Sequence, residues 1–332
     1  MRKPPSGRGV PLSGLFVSAL VAATFSVTVF GQSRIQISYL GNAGWQITDG
    51  KTVILVDPYL SRLKLQTPND PVLADDKRRT FTRDDIAVSD EPTIDAHIQH
   101  ADFILVTHTH VDHALDVPHI AKKTGATVIG TESTISYARA SGVPESQLFT
   151  VKGGDDLEFG AFSARIVPSL HGILRRAPNT APNPGPPPPD VIPIDAKLPF
   201  RLRDFAEGGT LAYLVRLNGV RILAFGSMNY IEREVKGLRP DVALIGAMPE
   251  RREIYNYTAR LLDAIGDPPL VLPTHWDRFN VPYGVSQQSA IARLQSFLAE
   301  VKSASPRTRV IIPEYFKPIS IQAQRNNQAQ SK

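Results

Sequence analysis

Four side chains that can bind divalent metal ions follow one another closely in the chain: His108, His110, Asp112 and His113. Imidazole and carboxylate are the ligands that zinc, manganese or iron takes where no thiolate is available. Residues i and i+2 of an extended segment point the same way, so His108 and His110 can bind one metal ion together. A turn into a helix would then direct Asp112 and His113 towards a second metal position.

The elements around this cluster place it at the edge of a sheet. The apolar run 103–106 directly before it predicts a strand that is buried on both faces, and α/β proteins bind ligands at the carboxyl ends of such strands. His171 and His275 also follow strand-like runs, 162–167 and 270–272, and are candidates for the same site. The histidines without such a setting are His97, His100 and His119. We interpret these three as surface or packing residues.

The wider pattern of apolar residues predicts an α/β sandwich. Strands are predicted at 35–40, 45–47, 52–56, 103–106, 127–130, 162–167, 210–217, 220–225, 242–245, 270–272 and, as the last strand, 310–312. Helices are predicted at 95–100, 117–124, 134–141, 254–265 and 286–301, and 64–92 is predicted as a long loop. Asn218-Gly219 indicates a tight hairpin. The strands and helices form two halves of similar make-up.

A proline-rich stretch lies close to the junction of the halves. Residues 177–190 contain seven prolines in fourteen positions, which excludes a helix or a central strand. We predict a semi-rigid loop at 177–200 beside the site, either gating the substrate or forming a solvated insertion. The arginines that flank it are Arg175, Arg176, Arg201 and Arg203. They could bind a carboxylate or phosphate, or contribute only surface charge.

The amino-terminal residues have the layout of an export signal. Residues 1–14 are polar with three positive charges, residues 15–30 are apolar without charge, and Val29-Phe30-Gly31 precede Gln32. The apolar run is shorter than the roughly 20 residues of a spanning helix, although an uncleaved anchor is the alternative. We therefore predict a signal peptide at 1–31, a hydrolase domain at 32–321 and a disordered tail at 322–332. The protein would be periplasmic or secreted, without stable membrane insertion after cleavage.

Composition excludes several functional classes. The net charge is +5, but residues 1–31 contain three basic residues and no acid, so the remainder has 34 basic and 32 acidic residues. This balance gives no electrostatic basis for binding nucleic acid, and a small-molecule substrate is expected instead. The chain has no cysteine, which excludes disulfides, thiolate nucleophiles and cysteine-type zinc sites.

Together these motifs resemble the metallo-β-lactamase superfamily. His-x-His-x-Asp-His at 108–113 is similar to its signature. The segments YLGNAGW at 39–45, VDPYL at 56–60 and THWD at 274–277 are similar to the branch that contains bacterial ascorbate-phosphate lactonase-like hydrolases. The resemblance covers nearly all of the chain after the signal. It implies an αββα sandwich of two similar halves, with metals at the sheet edge between them.

The resemblance also implies which residues hold the metals. The first site would consist of His108, His110 and His171, and the second of Asp112, His113 and His275. One or two zinc ions are expected, with manganese or iron as alternatives. Asp57 would lie behind the ligands near the metals, or would be only a turn residue before Pro58.

Ser227 is a departure from the family pattern. Most members with two metals have a bridging aspartate in a Gly-Asp pair after the central hairpin, where this chain has Gly226-Ser227. A hydroxyl is a poorer zinc ligand than a carboxylate, so we expect the second site to be weaker than the first. Ser227 would hydrogen-bond the water of the second metal, or would be only a small residue in a tight turn.

The expected chemistry is metal-assisted hydrolysis. A bound metal lowers the pKa of its water from about 15.7 to about 7, so hydroxide is available at neutral pH. Asp112 would orient this nucleophile, and His275 would lie where the oxyanion or leaving group forms. A carboxylic ester, lactone or amide is the expected substrate. A phosphodiesterase, a β-lactamase and a non-catalytic metal-binding protein on a hydrolase scaffold are the alternatives. Candidate pocket walls, with core packing as the alternative, are Tyr255, Tyr257 and Trp276.

The export signal gives a first prediction. Expression of the full chain in a bacterial host should yield a processed protein that begins near Gln32, because the apolar run ends there. Amino-terminal sequencing of the exported protein measures this directly. A mature protein that begins elsewhere, or that keeps Met1, would refute the predicted cleavage.

Overall fold

The computed structural model describes Met1 and residues 34–65, 75–173 and 190–322. All the elements below belong to the compact unit that spans Ser33–Lys332. Apart from Met1, the predicted signal at 1–31 lies outside the described residues. So do the proline-rich stretch up to 189, with Arg175 and Arg176, and the tail after 322.

The described residues form fourteen strands in two sheets. The strands are β1 (Arg34–Gly41), β2 (Gly44–Thr48), β3 (Val53–Val56), β4 (Phe103–Leu105), β5 (Thr127–Gly130), β6 (Leu148–Thr150), β7 (Asp156–Glu158), β8 (Ser163–Pro168), β9 (Leu211–Leu217), β10 (Val220–Phe225), β11 (Val242–Gly246), β12 (Leu270–Thr274), β13 (Arg309–Val310) and β14 (Pro318–Gln322). The first sheet has the order β14-β1-β2-β3-β4-β5-β6, and the second has the order β13-β12-β11-β10-β9-β8-β7.

The two sheets have the same pairing pattern. In the first, the neighbours from β14 to β3 are antiparallel and those from β3 to β6 are parallel. In the second, the neighbours from β7 to β10 are antiparallel and those from β10 to β13 are parallel. This repetition confirms the prediction of two similar halves.

Helices cover the outer faces of the sheets. The described helices are α1 (Glu91–His97), α2 (Val111–Ala114), α3 (Val117–Thr124), α4 (Glu132–Ala140), α5 (Glu232–Val235), α6 (Tyr257–Ile265) and α7 (Gln288–Ala304). Short 3₁₀ turns lie at Glu145–Gln147, Leu202–Asp204 and Pro249–Glu253. No helix in the described ranges combines the length and the apolar character that crossing a membrane requires.

Alternation of side chains along the strands separates two layers of core. On β3, Ile54 and Val56 belong to the core that the two sheets share, whereas Leu55 belongs to the core beneath the helices. Ile120 of α3 and Ile135 of α4 pack in that second core. The order of layers is therefore helices, sheet, sheet, helices, which confirms the predicted αββα sandwich.

Some predicted boundaries were wrong. The helix predicted at 95–100 is α1 and begins at Glu91, because the Asp90 carboxylate accepts a hydrogen bond from Thr93 N–H (3.1 Å). Pro92 lies in its first turn, where a missing N–H costs nothing. The predicted loop 64–92 is thus too long at its end. The helix predicted at 254–265 begins only at Tyr257, since Asn256 has a left-handed backbone with φ of 48°.

The carboxyl-terminal prediction also needs correction. The predicted last strand, 310–312, corresponds to β13, but β14 follows it and pairs with β1. Gln322 ends this strand and does not begin a disordered tail. Strand β14 has only five residues, which alternate between exposed and partly buried positions. So short an alternation is a weak signal for a strand when turn residues surround it. The elements β6, β7 and α5 were missed for the same reason, since each has only three or four residues.

A buried ion pair ties two loops beside the sheet edges. Arg62, which follows β3, donates from Nη2 to Asp277 Oδ2 (2.8 Å), and both side chains are nearly inaccessible to solvent. Its Nε–H donates to the carbonyl of Val281 (2.6 Å). Burial opposes ionisation of Asp277, but the charge of Arg62 outweighs burial and lowers the pKa of Asp277. The loop after β3 is therefore held to the loop after β12 by a charge pair.

Loss of this pair should destabilise the protein strongly. Arg62→Ala would leave the Asp277 carboxylate buried without its counter-charge, and we expect the free energy of unfolding to fall by about 3–5 kcal/mol. Urea denaturation of both proteins measures the difference. Arg216→Ala is the matched control, because Arg216 pairs with Asp156 at the surface and should cost only about 0–1 kcal/mol. An equal loss of unfolding free energy in the two variants would contradict the expectation that the buried ion pair stabilises the fold more than the surface pair.

Candidate metal centre

Three histidines form the first group of donors. His108 and His110 follow β4, and His171 follows β8 of the other sheet. One nitrogen of each lies within 4.8 Å of the others, and His110 Nδ1 is 3.2 Å from His171 Nε2. The Nε2 atom of His108 is buried and makes no hydrogen bond within the described part of the chain. The geometry therefore provides three nitrogens that converge on one point.

The second group contains one carboxylate and two histidines. Donor atoms of Asp112, His113 and His275 also lie within 4.8 Å of one another. Asp112 Oδ2 is 3.3 Å from His275 Nε2 and 3.6 Å from His113 Nε2. The centroids of the His108 and His113 rings are 3.9 Å apart, so the two groups are adjacent. This grouping of six donors is the one that the family resemblance implies.

The local fold explains why these side chains converge. Helix α2 begins directly after His110, so Asp112 and His113 lie in its first turn. His275 follows β12 immediately and has a left-handed backbone with φ of 52°. This conformation is uncommon for residues other than glycine. It ends β12 abruptly and leaves the imidazole at the sheet edge.

Asp57 lies directly behind the second group. It follows β3, is fully buried, and its Oδ2 accepts a hydrogen bond from His113 Nδ1–H (2.8 Å). Thr107 donates to the same carboxylate from its backbone N–H (2.7 Å) and from its hydroxyl (2.6 Å). Asp57 thus occupies the Nδ1 atom of His113, which leaves Nε2 to face Asp112. A turn residue alone would have none of these contacts.

Gly226 and Ser227 occupy the position of the missing bridging aspartate. A Cβ atom on Gly226 would lie 1.9 Å from Thr107 Oγ1 and 2.6 Å from Asp57 Oδ2, so only glycine fits. Ser227 is buried, and its hydroxyl oxygen accepts a hydrogen bond from the Gly172 N–H (2.8 Å). Ser227 therefore supports the backbone that follows His171.

Burial and mutual repulsion favour neutral imidazoles in the first group. Burial lowers the pKa of His108 and His171, and it lowers the pKa of His110 to about 4. Burial would raise the pKa of Asp112, but the neighbouring His113 and a hydrogen bond with His275 outweigh it and lower that pKa. At neutral pH the first group thus offers nitrogen lone pairs and Asp112 offers a charged oxygen. These donors fit a divalent cation.

The other histidines lie away from the donors and have surface or packing contacts. His97 stacks on Phe316 with ring centroids 3.8 Å apart. His100 contacts Asp102 (3.1 Å), and His119 contacts Asp95 (2.9 Å).

The residues predicted to contact the substrate differ in their exposure to solvent. Tyr255 is exposed, whereas Tyr257 on α6 and Trp276 after β12 are buried. Of the arginines beside the proline-rich stretch, Arg203 pairs with Asp84 (2.5 Å) and Arg201 is exposed. Trp276 directly follows the candidate ligand His275 in the chain.

Sequence reasoning overlooked several residues that touch the candidate ligands, and Asn42 is one of them. Asn42 is fully buried between β1 and β2, and its side-chain amide donates to the backbone carbonyl of Asp112 (2.6 Å). The quoted segment YLGNAGW includes Asn42, so its resemblance to the family was the only available signal. Nothing in the residue type identifies a partner 70 positions away.

Comparison with known proteins agrees with this fold. Residues 36–275 match the family described as "Beta-lactamase superfamily domain". A UPF0173 metal-dependent hydrolase of Symbiobacterium thermophilum is 28% identical over 258 residues, covering 74% of this chain and 86% of that protein. A second UPF0173 metal-dependent hydrolase, of Heliobacterium modesticaldum, is 32% identical, but only 46% of its length and 42% of this chain are matched.

Among solved structures, Igni18, a metallo hydrolase of Ignicoccus hospitalis, has the same fold. The TM-score is 0.53 at 13% identity, over 87% of this chain and 99% of that one. The αββα sandwich and the two groups of metal donors are together typical of the metallo-β-lactamase superfamily. The chain belongs to the family described as β-lactamase superfamily domain, which matches residues 36–275.

The two groups of donors should bind metal with different strength. The second group has no bridging carboxylate, so mild chelation of zinc-loaded protein should leave about one metal per chain out of two. His110→Ala should lose that remaining metal, because it removes a donor of the first group. Elemental analysis of residues 32–332 and of the variant measures both. Equal, stoichiometric retention at both groups after chelation would refute the difference.

Proposed function

We propose that this chain is an exported hydrolase that cleaves a carboxylic ester, lactone or amide of a small molecule. The observation behind this proposal is that two sets of three metal donors lie side by side, with the rings of His108 and His113 3.9 Å apart. A non-catalytic scaffold requires no second set next to the first. We further propose zinc as the metal, and a periplasmic or secreted location on the basis of residues 1–31.

The residues of the first group would hold one metal and those of the second group another. When bound, such ions polarise the attacked oxygen and lower the pKa of a nucleophilic water. Asp112 is ionised and its Oδ2 lies between His113 and His275. It can therefore accept a hydrogen bond from the nucleophile and hold it towards the substrate.

The neighbouring residues keep these groups in place during the reaction. Asp57 fixes the His113 ring through Nδ1 (2.8 Å), and the His275 Nε2 atom lies 3.3 Å from Asp112 Oδ2. The position of His275 at the end of β12 suits contact with the developing oxyanion or the leaving group. Preorganised groups of this kind need no rearrangement when charge develops.

Substitution of the proposed orienting carboxylate tests this function. Purified zinc-loaded protein would be screened on lactones, esters, β-lactams and phosphodiesters, and kcat/KM measured on the best substrate. Asp112→Asn should lower kcat/KM by about 10²–10⁴-fold, because a neutral amide is a weaker hydrogen-bond acceptor for the nucleophile than a carboxylate. His119→Ala, at a surface histidine, should leave the rate unchanged.

The screen also distinguishes the alternatives. A clear preference for phosphodiesters or β-lactams would replace the proposed substrate class. Full metal content together with no hydrolysis of any of the four classes would favour a metal-binding protein on a hydrolase scaffold. Wild-type protein that takes up neither zinc nor manganese would refute the hydrolase proposal itself.

A further inference from the structure

Asn42 has an unusual backbone in the turn between β1 and β2. It is completely buried, and its φ of 55° lies in the left-handed region. Asparagine tolerates this region better than other residues that have a side chain, although glycine adopts it more easily still. The backbone alone would therefore favour glycine, so the presence of asparagine points to a use of its amide.

The amide of Asn42 faces Asp112. Its Nδ2 donates to the Asp112 backbone carbonyl (2.6 Å) and lies 3.3 Å from Oδ2 of the same residue. Both partners are acceptors, so the nitrogen and not the oxygen of the amide must point towards them. The two contacts hold the main chain of Asp112 and orient its carboxylate.

The backbone of Asn42 faces His275 on the other side. Its carbonyl accepts a hydrogen bond from the His275 N–H (2.6 Å) and another from the Tyr39 hydroxyl (2.8 Å). Its own N–H donates to Asp277 Oδ1 (2.9 Å). One residue in the turn between β1 and β2 thus contacts both Asp112 of α2 and the loop that follows β12.

The first group of donors has separate supports. His171 Nδ1–H donates to the Gly172 carbonyl (2.8 Å), and the Asn229 amide donates to the carbonyl of His171 (3.2 Å). Asn42 makes no described contact with His108, His110 or His171. Its influence should therefore fall on the second group alone.

We propose that Asn42 is a positioning residue that assembles Asp112 and His275 into the second metal group and sets the affinity of that group for its ion. This inference rests on the proposed function, since it requires that the two groups bind metal. The amide nitrogen of Asn42 cannot bind a metal, because it carries hydrogens and is turned to Asp112. Residues that orient metal ligands in this way typically change metal affinity by about 10–100-fold when they are replaced.

The test is a pair of asparagine-to-glycine substitutions. Asn42→Gly keeps the left-handed backbone and removes only the amide. Asn218→Gly is the matched control, because Asn218 also has positive φ (48°) and its amide donates to a carboxylate, Asp49 Oδ2 (2.7 Å), in a hairpin of the second sheet. Zinc titration of the metal-free proteins by calorimetry would resolve the two binding steps. Thermal unfolding of the same metal-free proteins would measure their stability.

The expected result is selective. Asn42→Gly should weaken the second zinc step by about 10–100-fold, leave the first step unchanged, and unfold within a few degrees of the control variant. Unchanged affinity at both steps would overturn the proposal. So would equal weakening of both steps or a collapse of the metal-free fold, because each would indicate a general structural role. If the wild-type protein itself binds no zinc, the proposed function is refuted. If only this inference fails, the wild-type protein still binds zinc, so the two outcomes are distinguishable.

Discussion

The buried carboxylate of Asp57 connects the core of the sandwich to the candidate metal centre. It satisfies the backbone and hydroxyl of Thr107 and the imidazole of His113 at once. A buried charge needs such partners, because their loss would leave it unpaired in a medium of low polarity. The close fit extends to the second sheet, where Gly226 lacks the side chain that would strike this carboxylate. The distance between the two sheets therefore fits the distance at which the candidate metal ligands of both sheets meet.

The six donors come unequally from the two halves. Four of them follow β4 of the first sheet, whereas His171 and His275 follow β8 and β12 of the second. Neither half can complete a group of three without the other, because each group contains one residue of the second sheet. Metal binding is thus linked to the packing of the sheets, and bound metal should stabilise the folded state over the unfolded one.

The sequence predicted what depends on strong local patterns. The run 103–106 and the Asn218-Gly219 hairpin appear as β4 and as the β9–β10 turn, since buried strands and left-handed turns leave clear residue signatures. The closely spaced donors were visible for the same reason. By contrast, β14 and the contacts of Asn42 depend on partners that are distant in the chain. No local pattern specifies such pairing, and only tertiary structure reveals it.

Strand β14 has a consequence for the order of folding. It pairs with β1 along five consecutive residues of each strand, so the first sheet is completed by a segment that is synthesised nearly 300 residues after its partner. Until then β1 is an open edge whose unpaired N–H and C=O groups can template association with another chain. The pairing with β14 therefore closes and protects this edge only when almost the whole chain has been synthesised.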